Sequence, residues 1–281
     1  VGISMGSGTS RAKEASDITI IDNSFASINN AILWGRSLYL NIKRFILFQM
    51  TINLCACLIV LVGAFLGMDS PLTVTQMLWV NLIMDTFAAM ALSSLPADRN
   101  VMYDAPRNPK SHIIDRRMVR RILLVGASMF VLLFGLWQLM WHTNINVASD
   151  IFTWKYFTEM FNFTHTKLHI GGKELSIFFS MFVLLQFWNI FNVKYFRTDR
   201  GLFLDVVDAI RGKLKDNTFS KGFIFISLAI LLGQIVIVQC AGSLFNVVPL
   251  TVQDWLVIIA VTSPVLLVPE LWRTVKYLIK K

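Results

Sequence analysis

Asn81 and Asp85 stand four residues apart inside Met77–Leu92, a run that is otherwise almost wholly apolar. A lone carboxylate in hydrocarbon costs about 2.5–3.5 kcal/mol on insertion scales, so intramembrane acids mark ion pathways. At this spacing the amide and the carboxylate share one face of an α-helix. Both offer oxygen, the ligand type that hard cations take. One amide and one carboxylate are too few for a calcium or magnesium cage. Other spans must add oxygens, or the helix must open and offer backbone carbonyls, as broken helices do where they line a cavity. Candidates elsewhere are Asn53 (after Gln49 and Thr51), Gln186 with Asn189, Gln234 with Gln239, and Glu270. Each is also a residue type that hydrogen-bonds between helices. Asp85 has no Lys or Arg partner within the apolar runs. From the residues alone this is a cation pathway, served equally well by a secondary transporter or an ATP-driven pump.

The elements that position these groups are membrane-length. The 281-residue chain is 55% hydrophobic and 15% charged, against about 25% charged in soluble domains, and its mean hydropathy is +0.61. A span takes about 20 mostly apolar residues. Six such runs are found, at about 45–66, 73–92, 122–141, 175–195, 222–242 and 252–272, with an amphipathic approach to the first at 34–44. The expected fold is all-α and polytopic, embedded in a lipid bilayer. Pro71 leads the second run, and Ala88, Ala89 and Ala91 allow close helix packing there.

The net charge of +9 is distributed by connection. Spans two and three are joined through Arg99, Arg107, Lys110, Arg116, Arg117, Arg120 and Arg121, and spans four and five through Lys194, Arg197, Arg200, Arg211, Lys213, Lys215 and Lys221. The first and fifth connections carry no Lys or Arg, and the long third one has only Lys155, Lys167 and Lys173. This alternation follows the positive-inside rule and places both termini in the cytoplasm. The basic residues sit between apolar runs, with no solvated face for nucleic acid.

Residues 1–32 are mixed and soluble in character, the expected tail of a larger cytosolic domain; residues 33–281 form the membrane domain. Cys55, Cys57 and Cys240 lie in apolar runs and predict no disulfide framework. The outer loop holds Asn162-Phe-Thr164, a glycosylation tripeptide, and His165 with His169 at a helical metal-pair spacing, with no third ligand nearby.

The start of the chain decides between transporter classes. Gly2-x-x-Met5-Gly6-x-Gly8-Thr9-x-x-Ala12-Lys13-x-Ala15-Ser16-Asp17 resembles the end of the phosphorylation domain of P-type ATPases. Gly35-Arg36-x-x-Tyr39-x-Asn41-Ile42-x-x-Phe45 is similar to that family's stalk into its fifth membrane helix. The resemblance therefore implies that the six spans are the last six of ten. Gln76–Ala88 is similar to the sixth helix of plasma-membrane-type calcium pumps. Sodium and potassium pumps carry a second Asp at the position of Asn81, and heavy-metal pumps a Cys-Pro-Cys motif that Cys55-Ala-Cys57 is not.

Three departures narrow the expectation. Sarcoplasmic-reticulum-type pumps carry Glu where this chain has Ala56, Glu where it has Gln186, and Thr where it has Met84. The resemblance thus implies one calcium site, built from Asn81, Asp85 and a fourth-helix Glu outside this chain, with Asn53 and Gln186 as further candidate ligands. It also implies that ATP and Mg2+ are bound outside residues 1–281, so that no catalytic residue lies within them. Animal plasma-membrane pumps carry a long calmodulin-binding tail; the chain stops at Lys281, and none is expected in it. Rivals are a pump for another divalent cation such as manganese, a secondary cation exchanger, and a non-catalytic subunit.

Overall fold

The computed structural model describes residues 2–67, 70–106, 108, 110–142, 158, 170–198, 201–211 and 220–280. The Asn162–Thr164 tripeptide and the His165–His169 pair lie outside the described residues. The chain divides into two compact units, Val1–Ile42 with Pro96–Ser111, and Lys43–Leu95 with His112–Lys281. The first therefore reaches ten residues beyond the expected boundary at residue 32 and includes a distant loop.

In the first unit, β1 (Ile3–Met5) and β2 (Ile18–Ile20) pair in parallel with Ile3 opposite Ile18. Parallel neighbours need a crossover, and α1 (Ser10–Glu14) lies on it, its first turn capped by the Thr9 hydroxyl. Gly6 passes so close to β2 that a Cβ would lie 2.9 Å from the Ile21 carbonyl oxygen. The helix α2 (Phe25–Leu66) begins in this unit. There Arg36 donates from Nη1 to the carbonyls of Val101 at 2.9 Å and Asp104 at 2.8 Å, around the short 3-10 helix Arg99–Tyr103. The Asp98 amide donates to Ser37 Oγ at 3.1 Å. One guanidinium thus holds several carbonyls of a loop that has few backbone bonds of its own.

The second unit contains the rest of α2 and all the other helices. These are α3 (Val74–Leu78), a π-helical turn at Trp79–Met84, α4 (Asp85–Ser93), α5 (Arg116–His142), α6 (Gly172–Lys194), α7 (Leu202–Ile210), α8 (Lys221–Cys240), α9 (Gly242–Phe245), α10 (Val252–Thr262) and α11 (Pro264–Lys280). Among the described residues six helices or helix pairs are long and apolar enough to cross a membrane. The fold is all-α and polytopic, as composition and periodicity lead one to expect. The sixth span is two helices rather than one, because Pro264 lacks the amide hydrogen that would continue α10.

The centre of the unit is α6, whose apolar window is 89% buried against 44% or less in the other five. It packs against α5, α8, α10 and α11. Small residues admit the closest approaches elsewhere: a Cβ on Gly63 of α2 would collide with the Trp137 indole of α5, and one on Gly126 would lie 2.9 Å from Leu54. At the start of α5, Asp115 caps the Met118 amide and pairs with Lys43 at 3.1 Å. Burial works against its charge, but these donors win and hold its carboxyl below the usual range.

Proline inside α11 shows how the bundle satisfies its backbone. Pro269 has no N–H to give to the carbonyl of Val265 four residues back. The Asn192 side chain of α6 fills the gap, donating from Nδ2 to Val265 O at 2.6 Å. One turn lower, Glu270 accepts from the Leu202 amide at 2.6 Å and pairs with Arg273, whose Nη2 reaches the Asn192 carbonyl at 3.0 Å.

Two outcomes follow. Arg36→Ala removes the charged donor from the Val101 and Asp104 carbonyls and should cost about 1.5–3 kcal/mol locally. Amide hydrogen exchange over residues 96–111 should quicken; unchanged protection would show that the clamp carries no load. Asn192→Leu should cost about 1–3 kcal/mol, the desolvation penalty of one orphaned carbonyl. Asn192→Leu with Pro269→Ala, which restores the helical donor, should recover much of the thermal stability.

Candidate cation site

The helix that carries Asp85 is built in three pieces. It opens with a capping box, Thr73 Oγ1 accepting from the Gln76 amide and Gln76 Oε1 accepting from the Thr73 amide at 3.0 Å. Gln76 also donates from Nε2 to the Phe245 carbonyl at 2.8 Å, tying the start of α3 to α9. From Trp79 the chain widens into the π-helical turn. The Asp85 amide there donates to the carbonyls of Val80 and Leu82. A regular α-helix would close that bond onto Asn81, four residues back. Beyond Asp85 the regular helix resumes, and Ala88 and Ala91 are fully buried as α4 packs against α8. Gly233 of α8 abuts the Trp79 indole; a Cβ there would lie 3.2 Å from it. Single π turns recur at functional sites.

Asp85 is 5% exposed. Its Oδ2 accepts from Gln49 Nε2 of α2 at 2.6 Å. Its Oδ1 and the Gln49 Oε1 are both buried with no hydrogen-bond partner. Two unsatisfied acceptors on neighbouring side chains are what a cation, or a proton with water, would satisfy. Among the described residues, no three His, Cys, Asp or Glu side chains cluster as a metal site. Within the described residues, the oxygens on offer beside Asp85 are its own carboxylate, side-chain amides and backbone carbonyls.

The other expected ligands are placed differently. Asn81 is exposed on the π turn and Asn53 is exposed on α2, and neither amide hydrogen-bonds to Asp85. The i, i+4 spacing put both side chains on one face; in the structure the Asp85 carboxylate turns to Gln49 of α2 while Asn81 stays exposed. Gln186 is buried in α6 with both amide atoms unpartnered, and the Nδ2 of Asn189 is likewise unpartnered. Ala56, where a second carboxylate was expected to be missing, is buried on α2. Gln239 donates to the Leu250 carbonyl at 2.7 Å, and Glu270 is committed to Arg273 and Leu202, so both act as structural hydrogen-bonders. Gln49 was not singled out as a ligand from sequence. The available signal was a second amide one turn before Asn53 in the same apolar run.

The family described as "Cation transporting ATPase, C-terminus" matches residues 69–275. Plasma membrane calcium-transporting ATPase 3 of Homo sapiens is 35% identical over 262 residues, covering 91% of this chain and 19% of its own length. Plasma membrane calcium-transporting ATPase 2 of Oreochromis mossambicus is 34% identical over 258 residues, covering 91% and 21%. Plasma membrane calcium-transporting ATPase 1 of Mus musculus is 34% identical over 259 residues, covering 91% and 19%. The chain thus spans about a fifth of the length of the curated relatives it matches.

Gln49→Leu leaves the buried Asp85 carboxylate without its donor and should lower stability by about 1–3 kcal/mol. Removing both partners, as Gln49→Leu with Asp85→Leu, should be milder than the sum of the singles. Thermal unfolding of the full-length protein without divalent cations reads this cycle; strictly additive singles would mean that the bond contributes nothing.

Proposed function

The chain belongs to the cation-transporting ATPase family, and from that premise we propose that it is the C-terminal membrane part of an ATP-driven pump that exports calcium from the cytosol. The pump resides in the cell membrane, with both termini of this chain and its basic connections on the cytosolic side. The observation that carries the proposal is Asp85, buried behind a π turn with one carboxylate oxygen unpartnered, inside the stretch that matches the family. The orientation is supported by the alternation of Arg- and Lys-rich connections with connections that lack them or nearly so. A secondary exchanger has no place for the phosphorylation-domain sequence at residues 1–25, and the family match sets it aside.

In this proposal Asp85 is the anionic ligand of one calcium ion. Gln49 holds one carboxylate oxygen by its amide and leaves its own Oε1 as a further oxygen ligand. Asn81 and Asn53 present their amides on open faces, where the remainder of the pump packs and adds the fourth-helix carboxylate implied by the family. Ala56 and the neutral Gln186 leave a second ion without carboxylates, which supports a single site. ATP and Mg2+ are bound by parts of the pump outside this chain. Formation of the aspartyl phosphate there closes the cytosolic path. The rearranged helices then bind calcium more weakly toward the outside; an energy source can shift the population only because the two states differ in affinity for the ion.

The test is calcium-dependent phosphoenzyme formation from ATP by the full-length protein. Wild type should require calcium, Asp85→Asn should lose that dependence, and Gln49→Leu should weaken apparent affinity about 10- to 100-fold, as loss of a ligand's supporting hydrogen bond does. Full calcium affinity in Asp85→Asn would remove Asp85 from the site. Phosphorylation that answers to manganese in preference to calcium would change the ion and leave the site in place.

A further inference from the structure

The helix α7 is amphipathic in the opposite sense from a helix facing water. At about 100° per residue, Phe203, Val206, Val207 and Ile210 fall on one arc of α7, with Asp205 and Asp208 on the opposite side. The acidic side faces in: Asp205 is 5% exposed and accepts a hydrogen bond from the Tyr195 hydroxyl at 2.9 Å. The apolar side faces out, with Ile210 81% exposed and Val206 and Val207 each about 40% exposed. Turned toward water, that edge would leave its large apolar side chains unburied, and apolar area kept in water is unfavourable.

The tethers fix the depth of α7. Its first amide, on Leu202, donates to Glu270 of α11 at 2.6 Å, and α7 packs against α11. Two residues beyond Glu270, Trp272 is 72% exposed. Exposed Trp side chains on spanning helices settle at the level of the lipid headgroups. Nine residues make a helix of about 13 Å, less than half the roughly 30 Å hydrocarbon core, so α7 cannot cross the membrane. On α11, against which α7 packs, Leu271 and Val275 are likewise exposed apolar residues.

We propose that α7 is an interfacial membrane helix that sets its Val206–Val207–Ile210 edge into the acyl chains of the leaflet on the side of the basic connections. The proposal rests on the membrane reading of the six long helices and is independent of which ion is carried. The occupant of the edge is phospholipid, and the inward Asp205 is the latch that keeps the apolar side turned out. Helices of this kind, with an apolar face laid into the headgroup–acyl boundary, bind in proportion to the apolar area they bury.

The test uses the full-length protein in native membranes, with the photoreactive residue p-benzoylphenylalanine placed singly at Ile210, Val207, Phe225 and Lys110. Phe225 is 75% exposed on the spanning helix α8 and serves as the lipid-facing reference; Lys110 is exposed in a basic connection. Mass spectrometry after illumination should find phospholipid adducts at Ile210 and Val207 in yields approaching Phe225 and several-fold above Lys110. Adducts to a protein segment, or lipid yields no higher than at Lys110, would overturn the proposal. Failure at Phe225 as well would instead overturn the membrane reading beneath it.

Discussion

A carboxylate buried in a membrane-length helix persists only if the chain supplies what water would have supplied. Asp85 receives half of that from the Gln49 amide, and its second oxygen is left open. Most of what is distinctive in the second unit bears on this condition. Burial of Ala88 and Ala91 against α8 holds the helix that carries the carboxylate, while α2 holds its donor. The π turn just before Asp85 moves the amide of residue 85 off the Asn81 carbonyl and onto that of Val80. Strong satisfaction of every other group would give a stable helix bundle with nothing to offer an ion. Asp85 is the acid that leaves an oxygen open in this way, and the buried Gln186 and Gln234 amides are also without partners.

The same condition explains where the bundle is complete. Proline at 269 would orphan the Val265 carbonyl, and Asn192 answers it from the neighbouring helix. Glu270 is fully buried, yet it has Arg273 and the Leu202 amide. Asp254 caps Thr251 and pairs with Lys173 at 3.1 Å, and Glu174 accepts the Gly171 amide. The contrast lies between these acids, which close a helix end or meet a cation, and Asp85, which does neither.

The architecture was legible because its signals are collective. Six apolar runs survive any local irregularity, and the β-α-β start carries a long glycine-spaced motif. Site geometry was less legible because it depends on a local departure from regularity. The sequence Trp79–Met84 has no proline or glycine to announce a widened turn, and nothing in the spacing says that the Asp85 carboxylate meets an amide on α2. Gln49 was passed over for a related reason: an amide at the start of an apolar run has no periodicity that says which neighbour it faces. The break at Pro264 was visible as a residue, yet run length alone joined α10 to α11.

Charge counting carries the calcium proposal one step further. A divalent ion beside Asp85 is half neutralised, and Gln49, Asn81, Asn53 and Gln186 contribute dipoles but no charge. An unbalanced charge in a low-dielectric interior is strongly penalised, so dipoles alone would leave the ion bound weakly. The proposal therefore calls for a second carboxylate from outside this chain, approaching the side where Asn81 and Asn53 are exposed. On that proposal the second charge sits on a different element from α4. A site whose two charges sit on separately moving elements can be strong in one state and weak in the other. Two carboxylates on one rigid helix would bind calcium equally in both states and move nothing across the membrane.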